Sequence, residues 1–164
     1  EELARICAFC DEAGITFISD EIYHGLEYEA PAQTALRFTS NVIIVNSFSK
    51  YYAMTGWRLG WLVAPQTLMR PLERLKQSLA ICAPTISQKA ALAAFDATQE
   101  LDANRAIYAR NRALLMQQLP LMGLDDFAPP DGAFYIYADV SRFSGDSLDF
   151  CRRMLLEEIG RAHV

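Results

Sequence analysis

Six residues of this sequence could work as one chemical set: Asp20, Tyr23, Ser47, Ser49, Lys50 and Arg58. Asp20 and Tyr23 follow the short apolar run Ile15-Thr-Phe-Ile-Ser19, and Ser47, Ser49 and Lys50 follow another, Val42-Ile-Ile-Val45. Arg58 comes eight residues after Lys50, past the turn signal Thr55-Gly56, where the chain can swing back toward the same spot. An amine can form an imine with an aldehyde, two hydroxyls and a guanidinium can hold a phosphate dianion, and a carboxylate can hold a protonated ring nitrogen. A ligand with an aldehyde, a ring hydroxyl, a phosphate and a protonatable ring nitrogen is pyridoxal phosphate. Taken singly, each residue has a plainer reading. A lysine after a strand is a solvated loop residue, an aspartate a cap or turn former, a serine pair turn chemistry, and an arginine a surface ion pair. Their order and spacing make them a set.

The elements that must position them are legible in outline. Leu3, Ile6, Cys7 and Cys10 recur at helical spacing with Gly14 as a stop, which predicts a helix over 2–13. Strands are expected at 15–19, at 42–45, whose unbroken apolar run suits a buried parallel sheet, and at 60–63. Helical patterns then run over 66–79 with Pro71 forcing a kink or restart, over 87–98, and over 100–119 before Pro120. Alternation from Gly132 to Asp139 predicts a return of the sheet, and a last helix is expected from Ser147. Open α/β sheets bind ligands beyond the carboxyl ends of their strands, where these polar residues lie.

Composition bounds the alternatives. The chain has 164 residues, 52% hydrophobic and 21% charged, enough for a buried core. Fifteen basic against twenty acidic residues give a net charge of −5, which speaks against nucleic acid as a partner. The longest apolar runs, Ala90–Phe95 and Ala133–Ala138, have six residues, against roughly 20 needed to span a bilayer, so no membrane partner is expected. Of four cysteines only Cys7 and Cys10 are close, on the apolar stripe of the first helix; they read as buried thiols, which fits a cytoplasmic protein and no metal site.

The segment S-F-S-K-Y-Y-A-M-T-G-W-R-L-G, Ser47 to Gly60, preceded by I-S-D-E-I-Y, Ile18 to Tyr23, resembles the signature of class I/II aminotransferases of the fold-type I pyridoxal-phosphate superfamily. The resemblance covers residues 1–158 and implies an α/β fold: the end of the large, mostly parallel α/β/α domain and the start of the small α+β domain. It implies pyridoxal 5'-phosphate as cofactor. Lys50 would make the covalent imine link and shuttle a proton, Asp20 would bind the pyridinium nitrogen, and Tyr23 the ring oxygen. Ser47, Ser49 and Arg58 would bind phosphate. Gly132-Ala133-Phe134-Tyr135 resembles a G-x-F-Y segment on the substrate side. Glu21 and His24 are read as local hydrogen-bonding residues, Tyr51, Tyr52 and Trp57 as packing or subunit-contact residues, and Tyr135 and Tyr137 as core.

The implied activity is transfer of an amino group from an L-amino acid to a 2-oxo acid in a homodimer. A β- or γ-eliminating lyase on the same scaffold and a non-catalytic regulatory domain that binds the cofactor are the competing readings. The expected organisation is a cofactor-domain piece over 1–98, a hinge helix and partial small domain over 99–158, and a non-native tail over 159–164. That tail, I-G-R-A-H-V, resembles a sequencing adapter read in frame. The chain reads as an internal piece, inactive alone, because the family's glycine/serine phosphate loop, ring-stacking aromatic, N-P-x-N-P-T-G segment and late carboxylate-binding arginine lie outside it.

Overall fold

A computed structural model describes residues 1–158; the six-residue tail lies outside the described residues. Helix α1 (Glu2–Ala13) ends at Gly14, whose left-handed backbone (φ 66°, ψ 27°) lets its N–H reach back to the last turn. Strand β1 (Phe17–Asp20) runs parallel to β2 (Val42–Ser47), with Phe17 opposite Val42 and Asp20 opposite Val45. Strand β3 (Gly60–Val63) pairs antiparallel to β2, Ser47 facing Gly60 and Ile44 facing Val63. The sheet order is β1-β2-β3. β1 begins two residues later than the apolar run suggests and takes in Asp20, while β2 extends through Asn46 and Ser47, because ladder pairing with β3 continues past the apolar stretch.

Helices α2 (Gln66–Leu79), α3 (Thr85–Ala94) and α4 (Thr98–Leu121) follow. Pro71 neither breaks nor restarts α2: it lies in the second turn, where its missing N–H costs one bond to the carbonyl four residues back. Pro120 likewise sits inside the final turn of α4. Helix α5 (Ser147–Arg153) starts where expected, with the Asp146 carboxylate accepting from the N–H groups of Leu148 and Asp149, and leads into a π-helical turn, Met154–Glu158.

The sheet does not resume at 132–139. Among the described residues only isolated bridges form there, Glu27 with Gly132 and Phe127 with Ala138. Alternation sorts side chains between two faces, but a strand also needs a neighbour to accept its ladder, and these residues have none beyond the single bridges. Tyr135 and Tyr137, expected in a core, are exposed, Tyr137 at 94%.

The described chain divides into two compact units, one of residues 1–107 with 131–133, the other of 108–130 with the described residues from 134 onward. The first holds the sheet and two buried apolar clusters. Cys7, Ala35, Val42 and Ile44 close one side, α1 lying over the parallel pair; both cysteines of α1 are buried thiols. Phe48, Met54 and Ala91 form the second. In the second unit Arg112 Nε donates to the Pro130 carbonyl, and Phe134 packs on Tyr108 and Tyr135.

Candidate active site

The carboxyl ends of β1 and β2 open onto one another because the strands are parallel and in register. The ladder runs one step past β1, the Glu21 N–H donating to the Val45 carbonyl at 2.9 Å. Asp20 is the last residue of β1, and its Oδ1 accepts from the Ile22 N–H at 3.1 Å, turning the chain at once into a tight loop. Glu21 is the anchor of that loop. It is 5% exposed and its carboxylate accepts from the Ser19 hydroxyl and the Ala35 N–H, with His24 Nδ1 at 3.5 Å. Local hydrogen bonding is therefore what Glu21 and His24 do here. The loop ends at Gly25, whose φ of 95° favours glycine and where a Cβ would lie 2.6 Å from the Tyr51 ring. That close approach brings the turn after β1 against the residue next to Lys50.

The loop from Ser47 to Gly60 is built from main-chain bonds and a few polar side chains. Ser47 Oγ accepts from the Ser49 N–H at 3.0 Å, which leaves its O–H to donate elsewhere. The Met54 N–H donates to the Phe48 carbonyl and the Phe48 N–H to the Leu59 carbonyl, closing the loop on itself. Thr55 Oγ1 donates to the Ser49 carbonyl at 2.7 Å. Arg58 Nη1 donates to the Thr55 carbonyl at 3.1 Å. Two non-glycine residues in this loop, Ala53 (φ 53°) and Arg58 (φ 51°), take left-handed backbone, a strain that clusters at working sites. Gly60 is required by approach rather than conformation: a Cβ there would lie 2.7 Å from the Asn46 carbonyl oxygen.

The result is an open cavity of about 400 Å³ lined by Ile22, Ser47, Ser49, Lys50, Thr55, Arg58, Leu59 and Gly60. Four of the six residues expected from the sequence share its wall. Asp20 and Tyr23 stand beside it rather than on it, Asp20 two residues before the lining Ile22 and Tyr23 with its ring centroid 5.6 Å from Lys50 Nζ. Gly132 and Ala133 do not line it; they pair with the chain after the Tyr23 turn, the Ala133 N–H to the Leu26 carbonyl and the Tyr28 hydroxyl to the Ala133 carbonyl. Tyr51 and Tyr52 are packing residues, Tyr52 against Phe48 and Phe95, and burial together with nearby Tyr51 pushes the Tyr52 phenol above its ordinary range.

Sequence reasoning missed Thr55, Gly25 and Ser87. Ser87, in α3, is buried and donates to the Trp57 carbonyl at 2.6 Å. The donor set, two hydroxyls with a guanidinium and an ammonium in one cavity, fits a phosphate-bearing aldehyde, and the carboxylate at the end of β1 fits a cationic ring nitrogen.

The sequence profile described as aminotransferase class I and II matches residues 1–163. A valine–pyruvate aminotransferase of Mycobacterium tuberculosis is 53% identical over 161 residues, covering 96% of this chain and 42% of that protein. The crystal structure of an aminotransferase from Mycobacterium tuberculosis superposes with a TM-score of 0.89 at 52% identity, covering 95% of this chain and 41% of the other. An aromatic aminotransferase from Pyrococcus horikoshii superposes with a TM-score of 0.86 at 33% identity, over 94% of this chain and 43% of that one. This chain thus spans about 42% of the length of the relatives it matches.

Proposed function

The chain belongs to the class I and II aminotransferase family, with its fold-type I α/β architecture, and on that premise we propose that it carries the cofactor-holding part of an enzyme that moves an amino group from an L-amino acid to a 2-oxo acid. The observation that supports this most is the shared cavity of Ser47, Ser49, Lys50 and Arg58 beside Asp20 and Tyr23. The family depends on pyridoxal phosphate, which when bound supplies an electron sink for the pair left behind when a substrate Cα–H bond is cleaved.

Each residue of the chain has its own task in this reading. Ser47 and Ser49 hydroxyls and the Arg58 guanidinium bind the phosphate, the guanidinium adding charge to two neutral donors. The Lys50 amine would hold the aldehyde carbon covalently, its oxygen leaving as water, and once displaced by substrate the same Nζ would accept and return a proton. Lys50 Nζ lies 5.6 Å from the Tyr23 ring centroid, a cation–π spacing. Asp20 holds the ring nitrogen in its protonated form, an opposite charge that favours the cation. Tyr23 donates to the ring oxygen.

Residues 1–98 are assigned to the large cofactor domain and 99–158 to a hinge helix with the beginning of a small domain; α4 starts at Thr98, while the two compact units divide later, within that helix after residue 107. The complete protein is proposed to be a cytoplasmic homodimer. No described helix is long and apolar enough to cross a membrane. The test is single-turnover spectroscopy of the full-length protein with a panel of amino acids. Conversion of the cofactor from its aldehyde to its amine form supports aminotransfer. Release of keto acid and ammonia without the amine form would replace this reading with a lyase, and binding without conversion by any amino acid would favour a regulator.

A further inference from the structure

One face of α3 carries Ser87, Ala90, Ala91 and Ala94, spaced at i, i+3, i+4 and i+7. The three alanines pack into the cluster of Phe48, Met54, Tyr52 and Leu59, so α3 is seated directly on the loop that carries the site. Ser87 is the polar member of that face. It is 3% exposed, and its hydroxyl donates to the Trp57 carbonyl at 2.6 Å. That carbonyl belongs to the peptide that joins Trp57 to Arg58, and Arg58 takes the left-handed backbone conformation, φ 51° and ψ 51°. A non-glycine residue stays there only when its surroundings hold it. Turning the peptide toward a relaxed conformation would swing the Trp57 carbonyl away and leave a buried hydroxyl without its acceptor.

We propose that Ser87 is a positioning residue for the phosphate site: its hydrogen bond fixes the Trp57–Arg58 peptide and so aims the Arg58 guanidinium into the cavity. Arg58 Nη1 is also tied to the Thr55 carbonyl, and Thr55 Oγ1 to the Ser49 carbonyl, so the peptide held by Ser87 is continuous with the hydroxyl side of the same site. This inference rests on the assignment of Arg58 to the phosphate.

The test compares two ligands that differ only in that group, pyridoxal phosphate and pyridoxal, binding to the full-length apoprotein and its Ser87→Ala, Ser87→Thr and Arg58→Ala variants. Ser87→Ala is expected to weaken pyridoxal phosphate about tenfold, the scale of one lost buried hydrogen bond, and to leave pyridoxal within about twofold. Ser87→Thr, which keeps the hydroxyl, restores the affinity, and Arg58→Ala shows a larger loss confined to the phosphorylated ligand. Should Ser87→Ala not fold, Ser87→Cys, with a weaker donor of similar size, makes the same comparison. Equal weakening of both ligands by the Ser87 variant, or none, while Arg58→Ala discriminates between them, overturns the role of Ser87 alone. An Arg58→Ala variant that fails to discriminate overturns the phosphate assignment beneath it.

Discussion

The two units of this chain are made of similarly apolar sequence and differ in what it is used for. In the first, every buried residue of the described chain is found: the cluster under α1, the cluster under α3, Cys10, Leu26, Glu21, Ser87 and Leu101. Both units expose large apolar side chains, Ile81 at 78% in the first and Leu121 at 79% in the second, but none of the second unit's described side chains is buried. The first unit has a core because its strands pair within the chain, α1 packs on one face of the parallel pair and α3 packs on the loop after β2. The second has helices and a would-be strand but no ladder. A site that must fix six polar side chains to within fractions of an ångström belongs on the former, and all six residues of the proposed site lie there.

The largest effect expected from this contrast is on chemistry. Lys50→Ala in the full-length protein should lower turnover by at least about 10³-fold, since covalent attachment and proton transfer are lost together. Tyr137→Ser, in the second unit, should leave cofactor attachment unchanged when measured by absorbance. Asp20→Asn keeps the fold of the turn but removes the charge that holds the ring nitrogen protonated. A loss of roughly 10²- to 10⁴-fold in the single-turnover half-reaction is expected, with cofactor attachment retained.

Stability should separate the units next. Ile44→Ala, in the middle of β2 and 3% exposed, is expected to cost about 2–4 kcal/mol by chemical denaturation. Leu148→Ala, on exposed α5, should stay within about 0.5 kcal/mol; a cost like that of Ile44→Ala would show that other parts of the full-length protein cover that helix. Gly25→Ala should destabilise by roughly 1–3 kcal/mol, because it meets both a positive φ and the Tyr51 ring.

What could be read from the sequence follows the same division. Helix α1, its Gly14 stop and the Lys50 loop were legible because each is specified by neighbours in sequence: helical spacing, a left-handed cap, a strand followed at once by its polar residues. The strand expected at 132–139 failed because alternation describes faces and says nothing of whether a partner strand is present. Of the kink or restart expected at Pro71, the restart does not occur: the helix runs on through it at the loss of one hydrogen bond. Gly25 and Ser87 were invisible for a third reason. Their importance lies in the ring of Tyr51 and the carbonyl of Trp57, 26 and 30 residues away, and spacing within a motif cannot show them.

The smallest effect expected is kinetic. Burial, with Asp11 and Cys10 nearby, pushes the Cys7 thiol above its ordinary value, so little reactive thiolate is present at neutral pH. Cys82 and Cys151 are exposed and should be alkylated promptly, Cys7 and Cys10 only on unfolding, as followed by intact mass.

Lys50 is the proposed covalent anchor of the cofactor, and the chain offers its own controls, since its other lysines are Lys76 and Lys89. Borohydride reduction of the cofactor-loaded full-length protein, followed by proteolysis and mass spectrometry, locates the attachment. The account predicts a reduced pyridoxyl group on the peptide that contains Lys50 and its disappearance in Lys50→Ala. A label on Lys76, Lys89 or a lysine outside this segment, or one that survives Lys50→Ala, would contradict it.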